Sequence, residues 1–499
     1  MDHPEDGPVS HDVGRKMVSG TLWMVSMRWT IRLIGLVNTA IIARLLIPTD
    51  FGLVALAMIA VDLLVTITDG DMEMALVRSA EADSDLQNTG WTLKIMAGIA
   101  TWVLIMAITP LVSGHFGDER IATILHIAAL RPLILGFENI GVVEFRRSLN
   151  FATEFRYLVL QRLITVFIGL GLVLTFRDYL ALAWSMPASA LVTLALSFMV
   201  VRGRPRLGLK RWREFWRFSR WQMMFNSARL AGERCDQIII SRLGSLDDTG
   251  VYVVGFDLAM MPTREVMLPA GRALMPAYAK IAHDPKDLSA SFHTVLGFAA
   301  IIACATGVGM SSIAEDAVFL VLGDHWSRAV PFVRWLGIFG ALEGMWLMLD
   351  PFLIATRHER TLAIFNLAFA ALTIPAVAIT ASLMGIEAIP LARIAVMTAV
   401  LGGVFIRLLS WDWISPSSLT RTLWRPVAAA LAMAGAIFLL HPQGLSSRPL
   451  SMALDMAMGG ATYLGVLYGL WHLSGRPEGA ERSLAALVLA RLGRQSASL

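Results

Sequence analysis

Charged residues are scarce in this chain. Asp, Glu, Lys and Arg together supply 16% of its 499 residues, whereas 56% are hydrophobic. A soluble globular domain carries about 25% charged residues, because its surface has to be hydrated. The shortage of charge therefore excludes a soluble protein and predicts an integral membrane protein.

Cysteine is also scarce, and the usual cofactor motifs are missing. The two cysteines, Cys235 and Cys304, lie in separate apolar stretches, which supports neither a disulfide framework nor a metal site. The sequence contains no GxxxxGK[ST], no HExxH and no paired CxxC, so it predicts no ATP-driven motor, no metal and no other cofactor. The DGD string from Asp69 to Asp71 resembles the DxD of sugar transferases, but in a short predicted turn it is a weak signal. We therefore expect a protein that is not an enzyme.

Long apolar stretches dominate the chain. A bilayer core requires about 20 mostly apolar residues per spanning helix. Fourteen stretches fit, at residues 18–43, 51–68, 91–112, 121–143, 157–176, 180–201, 218–243, 250–278, 292–314, 330–355, 361–384, 387–408, 424–440 and 452–473. They are too long and too evenly apolar for the alternating strands of a membrane barrel. The predicted fold is all-α with about 14 transmembrane helices.

Lys and Arg are distributed unevenly between the predicted loops. If the N-terminus is cytoplasmic, most of them lie inside, including the basic segment 202–217, which we interpret as a connector on the inner leaflet and not as a nucleic-acid site. The outer loops then hold only Arg44, Arg120, Arg177, Arg242, Arg328 and Arg448. This bias predicts cytoplasmic N- and C-termini. The polar, acidic N-terminal segment does not fit a secretory signal.

One sequence motif occurs twice. AIIARLLIPTDFG, from Ala40 to Gly52, returns as IIISRLGSLDDTG, from Ile238 to Gly250. Six predicted spans separate the copies, so both halves enter the membrane in the same direction and form parallel repeats. The predicted arrangement is six helices, six helices and two more, with a cavity between the two six-helix lobes.

The repeat defines the predicted domains. They are a cytoplasmic N-terminal tail at 1–17, an N-lobe at 18–201, the connector at 202–217, a C-lobe at 218–408, two additional helices at 424–473 and a cytoplasmic C-terminal tail at 474–499. The two halves also correspond at Glu138 in the fourth span, whose counterpart in the second half is Glu343 in the tenth.

Basic residues inside the first predicted span indicate a binding site. A charge at a helix centre costs about 2.5–3.5 kcal/mol on insertion scales, so it usually faces a cavity or another helix. Arg28 and Arg32 lie one turn apart on one face, and this span contains no acidic residue. We therefore expect both arginines to bind an anion.

Two spans of the second half add polar residues to the predicted substrate site. The seventh carries Gln222, Asn226 and Arg229 at spacings of 4 and 3, which places them on one helix face. The eighth carries Arg264 and Arg272. The planar guanidinium donates paired hydrogen bonds and stays charged, so the pattern favours a phosphate or carboxylate ligand.

Acidic residues inside the predicted spans are candidates for coupling transport to a proton or a cation. They are Asp62, Asp257, Glu265, Glu343 and Asp350. Each also fits as the partner of an arginine. Glu233 with Arg229, and Glu265 with Arg264 or Arg272, are equally compatible with structural ion pairs. Arg234 lies off the polar face and is expected to pair with an acidic residue of its own lobe.

Several segments resemble the polysaccharide biosynthesis flippases, which are the O-antigen and exopolysaccharide exporters of the MATE-like superfamily. The resemblance rests on ARLLIPTDFGLVALAMIAVDLL, ALVR, WTLK at the start of the third span and GVVEFRRSLNFATEF before the fifth. It implies two six-helix lobes plus two helices, an arginine-rich cavity and a location in the bacterial inner membrane. The segment TDGDMEMALVR, from Thr68 to Arg78, departs from the Gly-rich apolar stretch of relatives.

The function implied by this resemblance is the flipping of undecaprenyl-diphosphate-linked oligosaccharide repeat units by alternating access. The expected partners are this polyprenyl-diphosphate-linked glycan, membrane lipids, and the polysaccharide polymerase and export machinery, with no nucleic acid. A multidrug antiporter driven by H⁺ or Na⁺ would need an acidic cavity, which the arginines of the first span disfavour. A membrane glycosyltransferase or polymerase would need a larger catalytic loop, and a scaffold of a polysaccharide assembly complex stays open.

Overall fold

The computed structural model of the protein describes residues 30–70, 72–78, 83–148, 151–281, 285–411, 414–441 and 447–484. All regular secondary structure in these ranges is helical, which confirms the predicted all-α fold. The chain divides into two compact units, of which the first ends at Gly250 and the second begins at Val251.

Ten α-helices lie in the first unit. They are α1 (30–45), α2 (Pro48–Asp69), α3 (Met72–Arg78), α4 (Ser84–Phe116), α5 (Glu119–Ala128), α6 (Leu130–Gly136), α7 (Glu144–Arg147), α8 (Phe151–Phe176), α9 (Tyr179–Val200) and α10 (Trp212–Leu243) among the described residues. The next helix, α11 (Leu246–Ile281), begins in the first unit and continues into the second.

The helices that follow α11 belong to the second unit. They are α12 (Pro285–Ser312), α13 (Ala314–Val321), α14 (Val330–Ala355), α15 (Glu359–Met384), α16 (Ile389–Leu408), α17 (Pro416–Leu440) and α18 (Arg448–Leu473). A short helical segment at 480–484 follows them.

Ten helices of the described chain are long and apolar enough to cross a membrane. They are α2, α4, α8, α9, α12, α15, α17 and α18, together with α14 and α16 and the 3-10 turns before them. The other four predicted spans are helical but differ in kind. The first is described only from residue 30, the fourth is divided between α5 and α6, and α10 and α11 are rich in charge. The count of fourteen stays a prediction.

The division of the fourth predicted span has a local cause. Pro132 lies in the first turn of α6 and has no N–H for the helical hydrogen bond to Ala128. After Gly136 the chain turns at Asn139, whose backbone N–H donates to Ser197 Oγ at 3.0 Å and whose side-chain amide donates to the carbonyl of Gly203 at 2.7 Å. The span therefore ends before residue 143, where sequence hydropathy places its end.

The core of the first unit is built from α2, α4, α5 and α9. Leu53, Ala57, Ile105, Ile121 and Ile124 are buried there. Between membrane helices such side chains contribute by close van der Waals packing, because lipid is as apolar as the core. The same residues thus set how these helices are rotated, and the rotation decides which polar side chains face the cavities described below.

The two copies of the repeated motif meet within the first unit. Thr49 donates to Asp247, its own repeat equivalent 198 residues later, at 3.3 Å. Asp50 accepts the backbone N–H of Ile47 at 3.3 Å, and its equivalent Asp248 accepts that of Ser245 at 2.9 Å. The repeated sequence therefore builds the same helix start twice. In α2 and in α11 an Asp in the first turn accepts the backbone N–H three residues earlier, as the acidic residue of a capping box does.

The basic connector, 202–217, packs along the first turns of α4. The backbone N–H groups of Arg206, Gly208 and Arg211 donate to Asn88, Thr92 and Thr89 at 2.7, 2.9 and 3.3 Å respectively. These side-chain acceptors satisfy backbone groups that have no helix or sheet to bond to. The connector is thus a defined part of the first unit.

The second unit is centred on α12, α14, α17 and α18. Ala300, Ala303, Met433 and Tyr463 are buried in its core, and the Tyr463 hydroxyl donates to the carbonyl of Ile301 at 2.7 Å. The segment after α18 joins this core, because Arg425 Nε donates to Glu481 Oε1 at 2.7 Å with both side chains less than 10% exposed. The two helices of the 424–473 region are therefore packed into the unit.

Candidate functional site

Two adjoining cavities in the described part of the first unit are lined by both basic and acidic residues. The larger has a volume of about 400 Å³ and is lined by Arg131, Glu138, Glu154, Tyr157, Gln161 and Arg162, among others. The second, of about 270 Å³, shares Glu73, Arg131 and Glu138 with it and also reaches Asp62 and Lys94. Both cavities combine basic and acidic groups inside helices that are otherwise apolar, as binding sites within membranes do.

A buried ionic cluster separates the two cavities. Lys94 Nζ lies 2.9 Å from both Glu73 Oε1 and Glu138 Oε2, and the Tyr157 hydroxyl donates to Glu138 Oε1 at 3.2 Å. Lys94 and Glu138 are only 11% and 14% exposed. One ammonium thus serves two carboxylates, which joins α3 and α4 to the chain after α6.

Arg162 of α8 reaches α1 one turn from Arg32. Gly35, one turn beyond Arg32, makes room for Arg162, because a Cβ there would lie 2.7 Å from Arg162 Nη2. Arg162 forms no ion pair with a carboxylate in the part of the chain that the structure describes. The result is a local concentration of positive charge beside the larger cavity.

Asp62 and Arg234 approach each other in the same unit. Asp62 lies on α2 and lines the smaller cavity, and Arg234 Nη2 lies 3.9 Å from Asp62 Oδ2. Arg234 also donates to Gln237 at 3.2 Å. The sequence predicts an acidic partner for Arg234 within its own lobe, 218–408. Asp62 instead belongs to the predicted N-lobe, 18–201, so the predicted pairing within one lobe is wrong.

The polar face of α10 is used in part by a local ion pair. Arg229 Nη1 lies 2.7 Å from Glu233 Oε1, and both side chains are exposed. Asn226 is half-buried on the same helix, and the side chain of Gln222 lies outside the described residues. Arg229 therefore takes the ion-pair alternative, while its proposed contact with a substrate is untested.

In the second unit, Arg264 pairs with Glu343 instead of its neighbour Glu265. Its Nε and Nη2 atoms donate to the two carboxylate oxygens of Glu343 at 2.9 and 2.5 Å. Arg264 also lies over the ring of Phe256, 5.2 Å from the centroid. Glu138 and Glu343 are counterparts in the two halves of the sequence. Each forms an ion pair within its own unit, Glu138 with Lys94 and Glu343 with Arg264.

Arg393 is a further arginine of this unit, and the sequence analysis missed it. It is 2% exposed and lies over the rings of Phe256 and Phe339, at 5.3 and 4.8 Å. Arg264 and Arg393 thus share Phe256. The signal was an arginine in the interior of the apolar stretch 387–408, and the same criterion that selected Arg28 and Arg32 would have found it.

The remaining predicted residues are more scattered. Asp257 is exposed, whereas Glu265 and Asp350 are half-buried on α11 and α14, each with a polar or ring contact. Arg28 lies outside the described residues, and so does the side chain of Arg272.

Four charged residues line or border the cavities although they were not predicted as site residues. They are Lys94, Arg131, Glu138 and Arg162. Each is a charge within an apolar stretch, and only its partners on other helices distinguish it.

Known proteins with similar sequences belong to polysaccharide biosynthesis. The family described as polysaccharide biosynthesis protein matches residues 41–331. The lipopolysaccharide biosynthesis protein WzxC of Escherichia coli (strain K12) is 21% identical over 378 residues, covering 74% of this chain and 76% of WzxC. The succinoglycan biosynthesis transport protein ExoT of Rhizobium meliloti (strain 1021) is 26% identical over 306 residues, covering 60% of this chain and 62% of ExoT.

Solved structures share the fold. The lipid II flippase MurJ in an inward closed conformation superposes with a TM-score of 0.73 at 12% identity, over 90% of this chain and 99% of MurJ. An inward-facing multidrug resistance transporter of the MATE family superposes with a TM-score of 0.62 at 12% identity, over 78% and 98% of the two chains. The MATE-like fold predicted from the sequence is confirmed.

Proposed function

Because this chain belongs to the polysaccharide biosynthesis protein family, which matches residues 41–331, we propose that it flips polyprenyl-diphosphate-linked oligosaccharide units across the bacterial inner membrane. The multi-pass membrane architecture suits this activity, since the substrate is itself anchored in lipid. The named relatives act in lipopolysaccharide and succinoglycan synthesis, and the fold neighbours are a flippase and a transporter. None of these named proteins is described as a glycosyltransferase, which disfavours that alternative.

The observation that carries the proposal is that Arg162 lines the larger cavity and packs against Gly35 of α1, one turn from Arg32. Two like charges inside a membrane unit repel each other, and the repulsion is stronger at low dielectric. A diphosphate placed beside them would convert this repulsion into attraction to both guanidinium groups, each of which can donate two hydrogen bonds. The lipid-linked diphosphate is an anion of this kind.

The substrate then takes a defined course. Its diphosphate binds Arg32 and Arg162, together with Arg28, which comes four residues before Arg32 in the sequence. Its sugars occupy the polar cavity beside Gln161 and Glu154. The polyprenyl tail stays in the lipid. Asn226, Gln222, Arg229, Arg264 and Arg272 complete the proposed substrate-binding set during alternating access.

Coupling to an ion is proposed for the acidic residues of the helices. Asp62 near Arg234 and Glu343 with Arg264 are the two acids whose basic partners the structure identifies. Neutralising such a carboxylate by a proton, or occupying it with a cation, would release its arginine. Asp257, Glu265 and Asp350 are the further members of this proposed set.

Export in cells tests the anion site. We expect Arg32→Gln and Arg162→Gln each to lower secreted polymer about tenfold, as the loss of about 1.4 kcal/mol of binding would. Lipid-linked units should accumulate on the inner face while the amount of protein in the membrane stays unchanged. Arg177→Gln is the matched control, because Arg177 lies just after α8, is exposed and borders neither cavity.

Three outcomes contradict parts of the proposal. Normal export in the Arg32→Gln/Arg162→Gln double variant would remove the anion site. If cells lacking the protein never made lipid-linked units, a transferase would be favoured, and normal units with normal polymer would favour a drug exporter.

Labelling of cysteines introduced at both ends of the chain tests the proposed cytoplasmic termini. Reaction of these cysteines with an impermeant reagent added from outside would contradict that orientation.

A further inference from the structure

Three potential metal ligands meet at one end of the second unit. They are Asp316 in the first turn of α13, His441 directly after α17 and Asp455 in α18, and one ligand atom from each lies within 4.8 Å of the others. His441 Nδ1 and Asp455 Oδ2 are 2.7 Å apart. The three residues come from three helices, so only the folded unit assembles them.

The sequence of α18 explains why its polar residues converge here. Arg448, Ser451 and Asp455 follow each other at intervals of three and four residues, which places them on one helix face. Arg448 pairs with Asp324 at 2.9 Å, and Ser451 donates to Asp316 Oδ2 at 3.3 Å. This face of α18 is therefore directed at α13 and the turn after it.

Asp455 has an incomplete environment. Its side chain is about 1–2% exposed, yet Oδ1 has no hydrogen-bond partner in the part of the chain that the structure describes. An ionised carboxylate has two acceptor oxygens, and leaving one of them buried and unsatisfied is costly. A simple His441–Asp455 pair satisfies only Oδ2.

A metal ion would complete this environment. We propose that Asp316, His441 and Asp455 form a binding site for a divalent transition-metal ion such as Zn²⁺, which links the ends of α13, α17 and α18. One imidazole and two carboxylates are typical zinc ligands, and a water molecule supplies the fourth position. Mg²⁺ and Ca²⁺ prefer six or more oxygen ligands, so the imidazole disfavours them.

The geometry requires little rearrangement. Ligand atoms around a tetrahedral Zn²⁺ with bonds of about 2.0–2.1 Å lie about 3.4 Å apart. His441 Nδ1 and Asp455 Oδ2 are 2.7 Å apart, and all three ligand atoms lie within 4.8 Å of one another. His441 is about half exposed, so it can rotate to admit the ion while Asp455 stays fixed in the core. The charge bias of the loops assigns this end of α17 and α18 to the outer side of the membrane.

Metal binding to the purified full-length protein in detergent tests the site. Competition with a chromophoric chelator should give one Zn²⁺ per chain, bound at least tenfold more weakly by His441→Gln and by Asp455→Asn. Asp324→Asn is the control, because Asp324 is exposed and pairs with Arg448 at the same end but is not a ligand. Equal weakening by Asp324→Asn, or wild-type affinity in the double ligand variant, would overturn the proposal. Mg²⁺ and Ca²⁺ should not displace Zn²⁺ at tenfold excess.

A second measurement needs no substitution. Zn²⁺ should protect His441 of the wild-type protein from modification by diethyl pyrocarbonate, as followed by mass spectrometry. His115, exposed in the last turn of α4, serves as the internal reference and should react equally with and without the ion. Unchanged modification of His441 at a saturating Zn²⁺ concentration would show that the pair with Asp455 binds no metal. The inference does not depend on the proposed substrate.

Discussion

Gly52 lies so close to the backbone carbonyl of Leu246 that a Cβ at position 52 would overlap that oxygen. The relationship is reciprocal, because a Cβ on Gly250 would overlap the carbonyl oxygen of Pro48. Gly52 and Gly250 are repeat equivalents, and so are Pro48 and Leu246. The duplicated motif therefore uses glycine for close approach of two helix starts, α2 and α11.

A methyl group at position 52 should destabilise the protein. Gly→Ala normally favours a helix by about 1 kcal/mol, but here the carbonyl of Leu246 must move, which costs about 1–3 kcal/mol. We expect Gly52→Ala to lower the unfolding temperature of the purified protein. Gly169→Ala in α8 is the control, since its Cβ would meet open space. An unfolding temperature as high as that of the control would contradict this packing.

Gly35→Ala should affect transport more than stability. The added Cβ meets only the end of the flexible Arg162 side chain, 2.7 Å away, so the side chain moves and the fold is kept. Moving the guanidinium by about 1 Å should weaken anion binding and lower polymer export several-fold, up to about tenfold if about 1.4 kcal/mol is lost. Export and thermal unfolding are measured on the same variant. A large loss of stability with normal export would be the opposite of the expected pattern.

Removing Lys94 should strongly destabilise the first unit. Lys94→Met removes the ammonium that Glu138 shares with the more exposed Glu73. Taking it from the buried Glu138 costs about 3–5 kcal/mol. Lys210→Met removes an exposed pair with Asp85 and should cost about 1 kcal/mol or less. Thermal unfolding in detergent compares the two. Adding Glu138→Gln to Lys94→Met should recover part of the loss, and no recovery would argue against charge as its cause.

The segment after α18 should be required for the stability of the second unit. Glu481→Gln removes the charge that Arg425 needs at a site where both side chains are buried, so we expect a loss of about 3–5 kcal/mol. Glu478→Gln, in an exposed pair with Arg482, should have little effect. Cleavage rates by a protease added to the purified protein report the difference. Equal rates for the two variants would mean that the buried pair is dispensable.

The sequence by itself determined the class of the protein and much of its architecture. Scarce charge and long apolar stretches decided for a membrane protein, because each helix must be apolar regardless of its neighbours. The motif ending at Gly52 and Gly250 revealed the duplication. Local rules suffice for these features.

Only the tertiary structure decided which charges meet. Lys94 and Glu138 are 44 residues apart, Arg425 and Glu481 are 56 apart, and Arg264 bonds Glu343, 79 residues away, although Glu265 is its neighbour. Such partners depend on how each helix is rotated, and the apolar core of the whole unit sets that rotation. Hydropathy gives the length of a helix, but only packing against other helices decides what its polar side chains contact.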